Sequence, residues 1–252
     1  MREREVTWTW SNSQDGYLKI ADIGNALPAN LFNKNDLTLR FKNAFDRGSD
    51  YFFEPLRLSQ PLTWQALTTK CLPVFVAQIK SHPTLFSAFT VVNDLMVFIG
   101  TYGTSDDSRD WDGIYACLPE FMHGYYQNFN GLHASYAIVE SPFCSFNLPA
   151  GVDKWTRLSD YAKDQKTPKK RLAKIRSELG DPEYIDILIW TEWDDLVLVN
   201  QNTRDRKLYV VPEGRFEDYF ELQDAQHQID ALCAHVLTGT LEPYLLKPNI
   251  AK

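Results

Sequence analysis

The sequence predicts an α+β protein in which helices pack on a twisted, largely antiparallel sheet. Three patterns carry that expectation: a sharply bounded amphipathic helix from Leu118 to Leu132, short strand pairs joined by turn residues, and a second amphipathic helix near the C-terminal end. Closely spaced strands pair antiparallel, and helices with one apolar stripe must bury it against a neighbour.

The beginning of the chain reads as hairpins. Thr7 to Trp10 and Tyr17 to Ile20 bracket a polar turn, and Leu37 to Lys42 and Tyr51 to Phe53 bracket Asp46-Arg47-Gly48-Ser49. Thr63 to Lys80 has helical composition, but Pro73 should break it, and Leu72-Pro73 is a candidate start for a second helix. Ser87 to Val92 and Leu95 to Ile99 flank Asn93-Asp94, a two-residue link that tolerates the positive φ of a tight hairpin. Thr101 to Gly113 is polar, acidic and rich in turn formers. It is the best boundary between a β-rich N-terminal extension, residues 1–104, and an α+β part, residues 105–252, although a long loop within one domain fits the same residues.

The helix at Leu118 to Leu132 is marked at both ends. Pro119 suits the first helical position, where its missing N–H would have had no partner, and Asn130-Gly131 supplies a residue that accepts a left-handed conformation at the stop. Phe121, Met122, Tyr125, Tyr126 and Phe129 fall on one broad apolar stripe that must face a core. His133 to Glu140 then reads as a strand. Further on, Thr167 can cap a helix with Pro168 in its first turn and Leu172, Ile175 and Leu179 on one face, ended by Gly180 and Pro182. Leu222, Ala225, Ile229, Leu232 and Val236 alternate spacings of three and four, a narrow seam expected to pack on the sheet.

Composition narrows the function. With 252 residues, 44% apolar and 13% aromatic, the chain can bury a sizeable core. It holds no apolar run near the roughly 20 residues of a membrane span, and no apolar region follows its charged start, so the expectation is a cytoplasmic protein without membrane contact. Cys71, Cys117, Cys144 and Cys233 are far apart, without a CxxC, and read as buried thiols. A net charge of -7 opposes nucleic-acid binding through the surface as a whole and suits a basic partner.

Candidate sites are polar clusters. Asp106, Asp107, Asp110 and Asp112 crowd one loop with Trp111. Aligning Gly113 with the glycine of an EF-hand loop puts Ser108 at the first ligand and Pro119 at the bidentate one, so no metal is expected. Glu192, Trp193, Asp194 and Asp195 form a second acidic cluster in the hairpin between Ile187–Trp190 and Leu196–Val199. No nucleophile or positioned histidine lies nearby in sequence, so no catalytic residue and no cofactor are expected. Both clusters read as solvated loop acids or as contact surface for a basic protein, with Trp111 and Trp193 as candidate anchors. Lys169, Lys170, Arg171, Lys174 and Arg176 give one helix a basic face, read as solvated, with phosphate binding as the alternative. The histidines, His123 among them, match no metal motif, and there is no P-loop, GxGxxG or GxSxG.

Leu118-Pro119, the aromatic-rich helix, and Asn130-Gly131 eleven residues after the proline together resemble the signature of the SUKH superfamily. Members usually carry an aromatic where this chain has Met122 and a second glycine where it has Leu132. Ile187 to Asn200 and Lys207 to Val211 resemble the paired strands that follow in that superfamily, and Phe216 to Leu222 its closing helix. The resemblance runs from Asp112 to Leu237. It implies a non-catalytic immunity protein that occludes a cognate toxin, often a nuclease delivered by contact-dependent or type VI secretion and encoded by a neighbouring gene. On that reading Asp106, Asp107, Asp110, Trp111, Asp112, Glu192, Trp193, Asp194 and Asp195 are the toxin-binding candidates. A regulatory scaffold, as in the superfamily's fungal cell-wall regulators, and a hydrolase are the alternatives.

Overall fold

The computed structural model describes residues 17–22, 43, 46–48, 51, 53–70, 74–79, 85–92, 95–103, 116–123, 133–136, 142–146, 156–191, 195–237 and 246–248. These form a mixed α+β structure with an antiparallel sheet. In chain order the strands are β1 (Tyr17–Asp22), β2 (Val74–Ile79), β3 (Leu85–Val92), β4 (Leu95–Gly103), β5 (His133–Tyr136), β6 (Pro142–Phe146), β7 (Thr156–Arg157), β8 (Ile185–Thr191), β9 (Leu196–Asn200), β10 (Tyr209–Val211) and β11 (Phe220–Glu221). Each pairs with its neighbour in sequence, except that β6 and β7 lie in succession along the same edge of β8. The helices are α1 (Leu56–Ser59), α2 (Pro61–Lys70), α3 (Leu158–Asp164), α4 (Ala173–Glu178) and α5 (Ala225–Leu237).

The hairpins expected at Ser87–Val92 with Leu95–Ile99 and at Ile187–Trp190 with Leu196–Val199 form, as the somewhat longer pairs β3–β4 and β8–β9, with Val92 opposite Leu95 and Trp190 opposite Leu196. Every residue of β9 is buried, and so is every residue of β8 except half-buried Trp190, so both faces are covered there. On one face Ile185, Ile187, Leu196, Leu198 and Val211 meet Leu158 and Ala162 of α3, Leu172 and Ile175 around α4, and Phe216. Each of the larger of these side chains contributes about 1.5–3 kcal/mol through its burial. A register shift between Ile187 and Ile189 changes the alternation, so that Trp190 joins the Ile187 face. There its ring meets Tyr161 edge-on at 5.6 Å.

Several expectations are corrected. Tyr51 and Phe53 are helical rather than a hairpin strand: Pro55 has φ -59 at the entry of α1, and local bonds such as Arg57 N–H to Glu54 O at 3.0 Å satisfy the backbone while Phe53 and Leu56 are buried. Val74–Ile79, beyond the expected second helix start at Leu72-Pro73, is a strand; Val-Phe-Val suits the pleat and β3 is there to pair with it. Thr167 to Gly180 is not one helix. Pro168 is extended at ψ 135, a 3₁₀ turn covers Lys169–Leu172, α4 follows, and no side chain caps either start. Its expected apolar face is present nonetheless, because Leu172 and Ile175 are buried and Leu179 packs beside them. Gly180 ends it at φ 110. Phe216 to Leu222 is a 3₁₀ turn, Phe216–Asp218, followed by β11, since the free edge of β10 offers main-chain partners that a helix would forgo.

Around Leu118, helix begins at residue 120, with the Met122 N–H on Pro119 O at 3.0 Å, and Leu118 and Met122 are fully buried. Phe121 is half-buried, and residues 124–132 lie outside the described residues. Half-buried His123 holds Nε2 3.1 Å from Leu118 O. β4 runs on through Thr101–Gly103, the first residues of the expected boundary loop, and pairs with β5 beyond it. The α5 seam, with Ile229 and Leu232 wholly buried, packs chiefly on α2 and only slightly on β6, instead of broadly on the sheet. Asp230 explains the pairing. Its carboxylate accepts the Leu62 and Thr63 N–H groups at 2.9 and 2.8 Å, capping α2 where Gln60-Pro61 supplies no local cap. Among the described residues no helix is long and apolar enough to cross a membrane.

Candidate functional site

Two parts of the chain meet the segment after β10. Val211 is buried and Pro212 starts a 3₁₀ turn, Pro212–Gly214, in which Glu213 has φ 48 and Gly214 φ 64. A second turn, Phe216–Asp218, follows at once. The Arg215 N–H reaches Pro212 O at 2.8 Å and the Asp218 N–H reaches Arg215 O at 3.0 Å, while Phe216 between them is sunk in the core. An apolar anchor thus holds a charged loop, Glu213 to Asp218, against the sheet.

Asp195 reaches this segment from the start of β9. It was expected on the contact surface, but it is 3% exposed, and its Oδ1 accepts the Glu213 N–H at 2.9 Å. Its own backbone closes the base of the β8–β9 hairpin, its N–H donating to Thr191 Oγ1 at 3.2 Å and its carbonyl accepting the Thr191 N–H at 3.0 Å. Its carboxylate is buried and serves main chain, so little of it is open to a protein partner. The other candidates, Asp106, Asp107, Asp110, Trp111, Asp112, Glu192, Trp193 and Asp194, lie outside the described residues.

The basic segment arrives from the other side. Arg171 donates Nη2 to Gly214 O at 3.0 Å, brings Nε to 3.6 Å from a Glu217 carboxylate oxygen, and lies over the Phe216 ring at 5.6 Å. Lys174 donates to Glu217 O at 3.0 Å and sits 4.8 Å from the Tyr219 ring centre. Arg176 is 3.9 Å from Asp181. Cations spent on carbonyls and rings are poorly placed to grip phosphate, so the phosphate alternative loses Arg171 and Lys174. Lys169 and Lys170 remain exposed.

Glu213, Glu217 and Asp218 are each 56% exposed, whereas the Arg171 side chain is 39% exposed and turned onto main chain. Arg215 bridges Glu213 at 3.3 Å and Asp218 at 3.2 Å. Such exposed pairs contribute at most about 1 kcal/mol, so they set shape and potential more than stability. Beside them the Tyr219 hydroxyl donates to Glu178 at 2.5 Å, and burial first, then that bond, pushes its pKa well above the ordinary tyrosine value. Lys207 is raised by its 2.7 Å contact with Glu221. The result is a turn with three exposed carboxylates, two paired with Arg215 within it and one with Arg171 beside it.

A second polar group lies inside. Asp186, fully buried on β8, accepts a hydrogen bond from the Gln201 amide and acts electrostatically on Cys117. Burial and, secondarily, that charge push the Cys117 thiol up to about 11, which keeps it protonated and unreactive. Cys117 and Cys233 are buried, as expected of them. Among the described residues, His, Cys, Asp and Glu do not gather in threes as a metal would need.

Sequence reading misses the 212–218 turn because it leaves Pro212 to Arg215 unassigned and gives Phe216 to Leu222 to a closing helix. Pro212 and Gly214 around a lone glutamate were the available turn signal. Comparison with known proteins adds no relative: no family model, no curated protein and no solved structure matches the chain.

Proposed function

We propose that this chain is a non-catalytic, SUKH-like immunity protein with a β-rich N-terminal extension over residues 1–104, acting in the cytoplasm by occluding a cognate polymorphic toxin. The observation that supports protein binding is the 212–218 turn, where Phe216 is sunk in the core and three exposed carboxylates, Glu213, Glu217 and Asp218, stand against one arginine of the turn, Arg215. A net charge of -7 extends that potential over the molecule and suits a basic partner such as a nuclease, by speeding encounter and excluding acidic competitors. The Leu118-Pro119 and Asn130-Gly131 resemblance supplies the class of partner. Asp106, Asp107, Asp110, Trp111, Asp112, Glu192, Trp193 and Asp194 belong to the proposed contact set; Glu213, Glu217 and Asp218 are added to it.

The test is co-expression with the toxin encoded beside the gene. Growth protection and a stoichiometric complex are expected, and both should weaken when Glu213, Glu217 and Asp218 are reversed to lysine. Absence of any neighbouring toxin together with no protection would sink the reading.

A further inference from the structure

We propose that Asp195 is a positioning residue for the acidic turn, and this rests on reading that turn as a partner-binding face. Glu213 stands at φ 48, ψ 36, a left-handed conformation in which a Cβ crowds the following carbonyl oxygen. Its N–H is met at 2.9 Å by a carboxylate that is almost wholly buried. Removing that acceptor leaves the N–H without its partner and the left-handed residue without its support. Two further ties, Arg171 to Gly214 O and Lys174 to Glu217 O, come from solvent-accessible side chains, so Asp195 holds the turn from the core side. Asp195 also fixes the hairpin base through Thr191. The hairpin and the turn therefore share one anchor, and a partner meets Glu213, Glu217 and Asp218 in a preformed arrangement instead of ordering them on contact. Preformed faces lose less freedom on binding, which favours tight complexes.

Native-state hydrogen exchange on the full chain tests this. In Asp195→Ala, the Glu213 and Arg215 amides should lose about tenfold or more in protection, while Leu198 and Val199 in β9 keep theirs. Asp195→Asn retains an acceptor oxygen and should hold both amides near the wild-type rate. Adding Glu213→Gly to Asp195→Ala removes the cost of positive φ and should restore Arg215 but not residue 213. The proposal is overturned if Asp195→Ala leaves Glu213 and Arg215 exchanging as in wild type. It is also overturned if the β9 amides lose protection equally, which would make Asp195 a prop of the whole sheet. Growth protection plays no part in these readouts, so this inference and the immunity reading fail separately.

Discussion

Two buried aspartates, Asp195 and Asp230, accept main-chain N–H groups in this protein, and they serve different ends. Asp230 uses both oxygens on Leu62 and Thr63, at the first turn of a regular helix, and so joins α2 to α5. Asp195 uses one oxygen on Glu213, a single residue held in a left-handed conformation at the surface. The first device satisfies donors that every helix leaves open; the second holds a shape the chain would not otherwise keep. Position separates the two here, since the chemistry is the same.

The comparison can be broken most severely at Phe216, the anchor that seats the turn Asp195 holds. Phe216→Ala should cost about 3–5 kcal/mol in urea unfolding, because a fully packed ring leaves a cavity. Asp230→Ala comes next, at about 2–3 kcal/mol, with Asp230→Asn recovering part of it, since two donors in or near the interior lose a charged acceptor. Glu213→Gly should act in the opposite direction, stabilising by about 1 kcal/mol in the same assay, because glycine adopts φ 48 freely and a Cβ at 213 is relieved of its clash. A loss instead would show that the glutamate side chain, through Arg215, outweighs the backbone cost.

A third buried aspartate, Asp186, sharpens the contrast because it acts on a titrating group. The Cys117 pKa rises from 9.0 to about 11 on folding. The folded state therefore holds the proton more tightly, and this contribution is complete below pH 9 and lost as pH climbs to about 11. Tyr209 and Tyr219, both raised by burial first, act with the same sign. Stability measured in steps from pH 8 to pH 11 should fall, and fall less steeply in Cys117→Ala. Equal slopes would remove Cys117 from the account. Arg215→Ala should be the smallest effect, within about 0.5 kcal/mol, as exposed pairs at its 49% exposure contribute little.

What was legible in the sequence followed local rules. The β3–β4 and β8–β9 hairpins are apolar runs separated by two to a few polar residues, and α5 carries its period over thirteen residues. What misled was short. Tyr51 and Phe53 alternate like a strand, yet Pro55 and the burial of Leu56 recruit them into helix, and Lys207 to Leu222 has charges interleaved with aromatics that suit a helix or an edge strand equally. Asp195 drew attention as an acid in an acidic hairpin. Its inward direction depends on Glu213, eighteen positions on, and no pattern within the hairpin encodes that. Asp230 and α2 are further apart still.

That last separation has a consequence during synthesis. Leu62 and the residue that caps its helix lie 168 positions apart. At cellular elongation rates α2 leaves the ribosome roughly ten to thirty seconds before Asp230 exists to meet it. Through that interval the helix must wait uncapped while successive strands from β2 onward find the partner next to them in sequence. The α2–α5 joint closes last, and a chain that stalls before residue 230 carries a helix start that only water or a chaperone can satisfy.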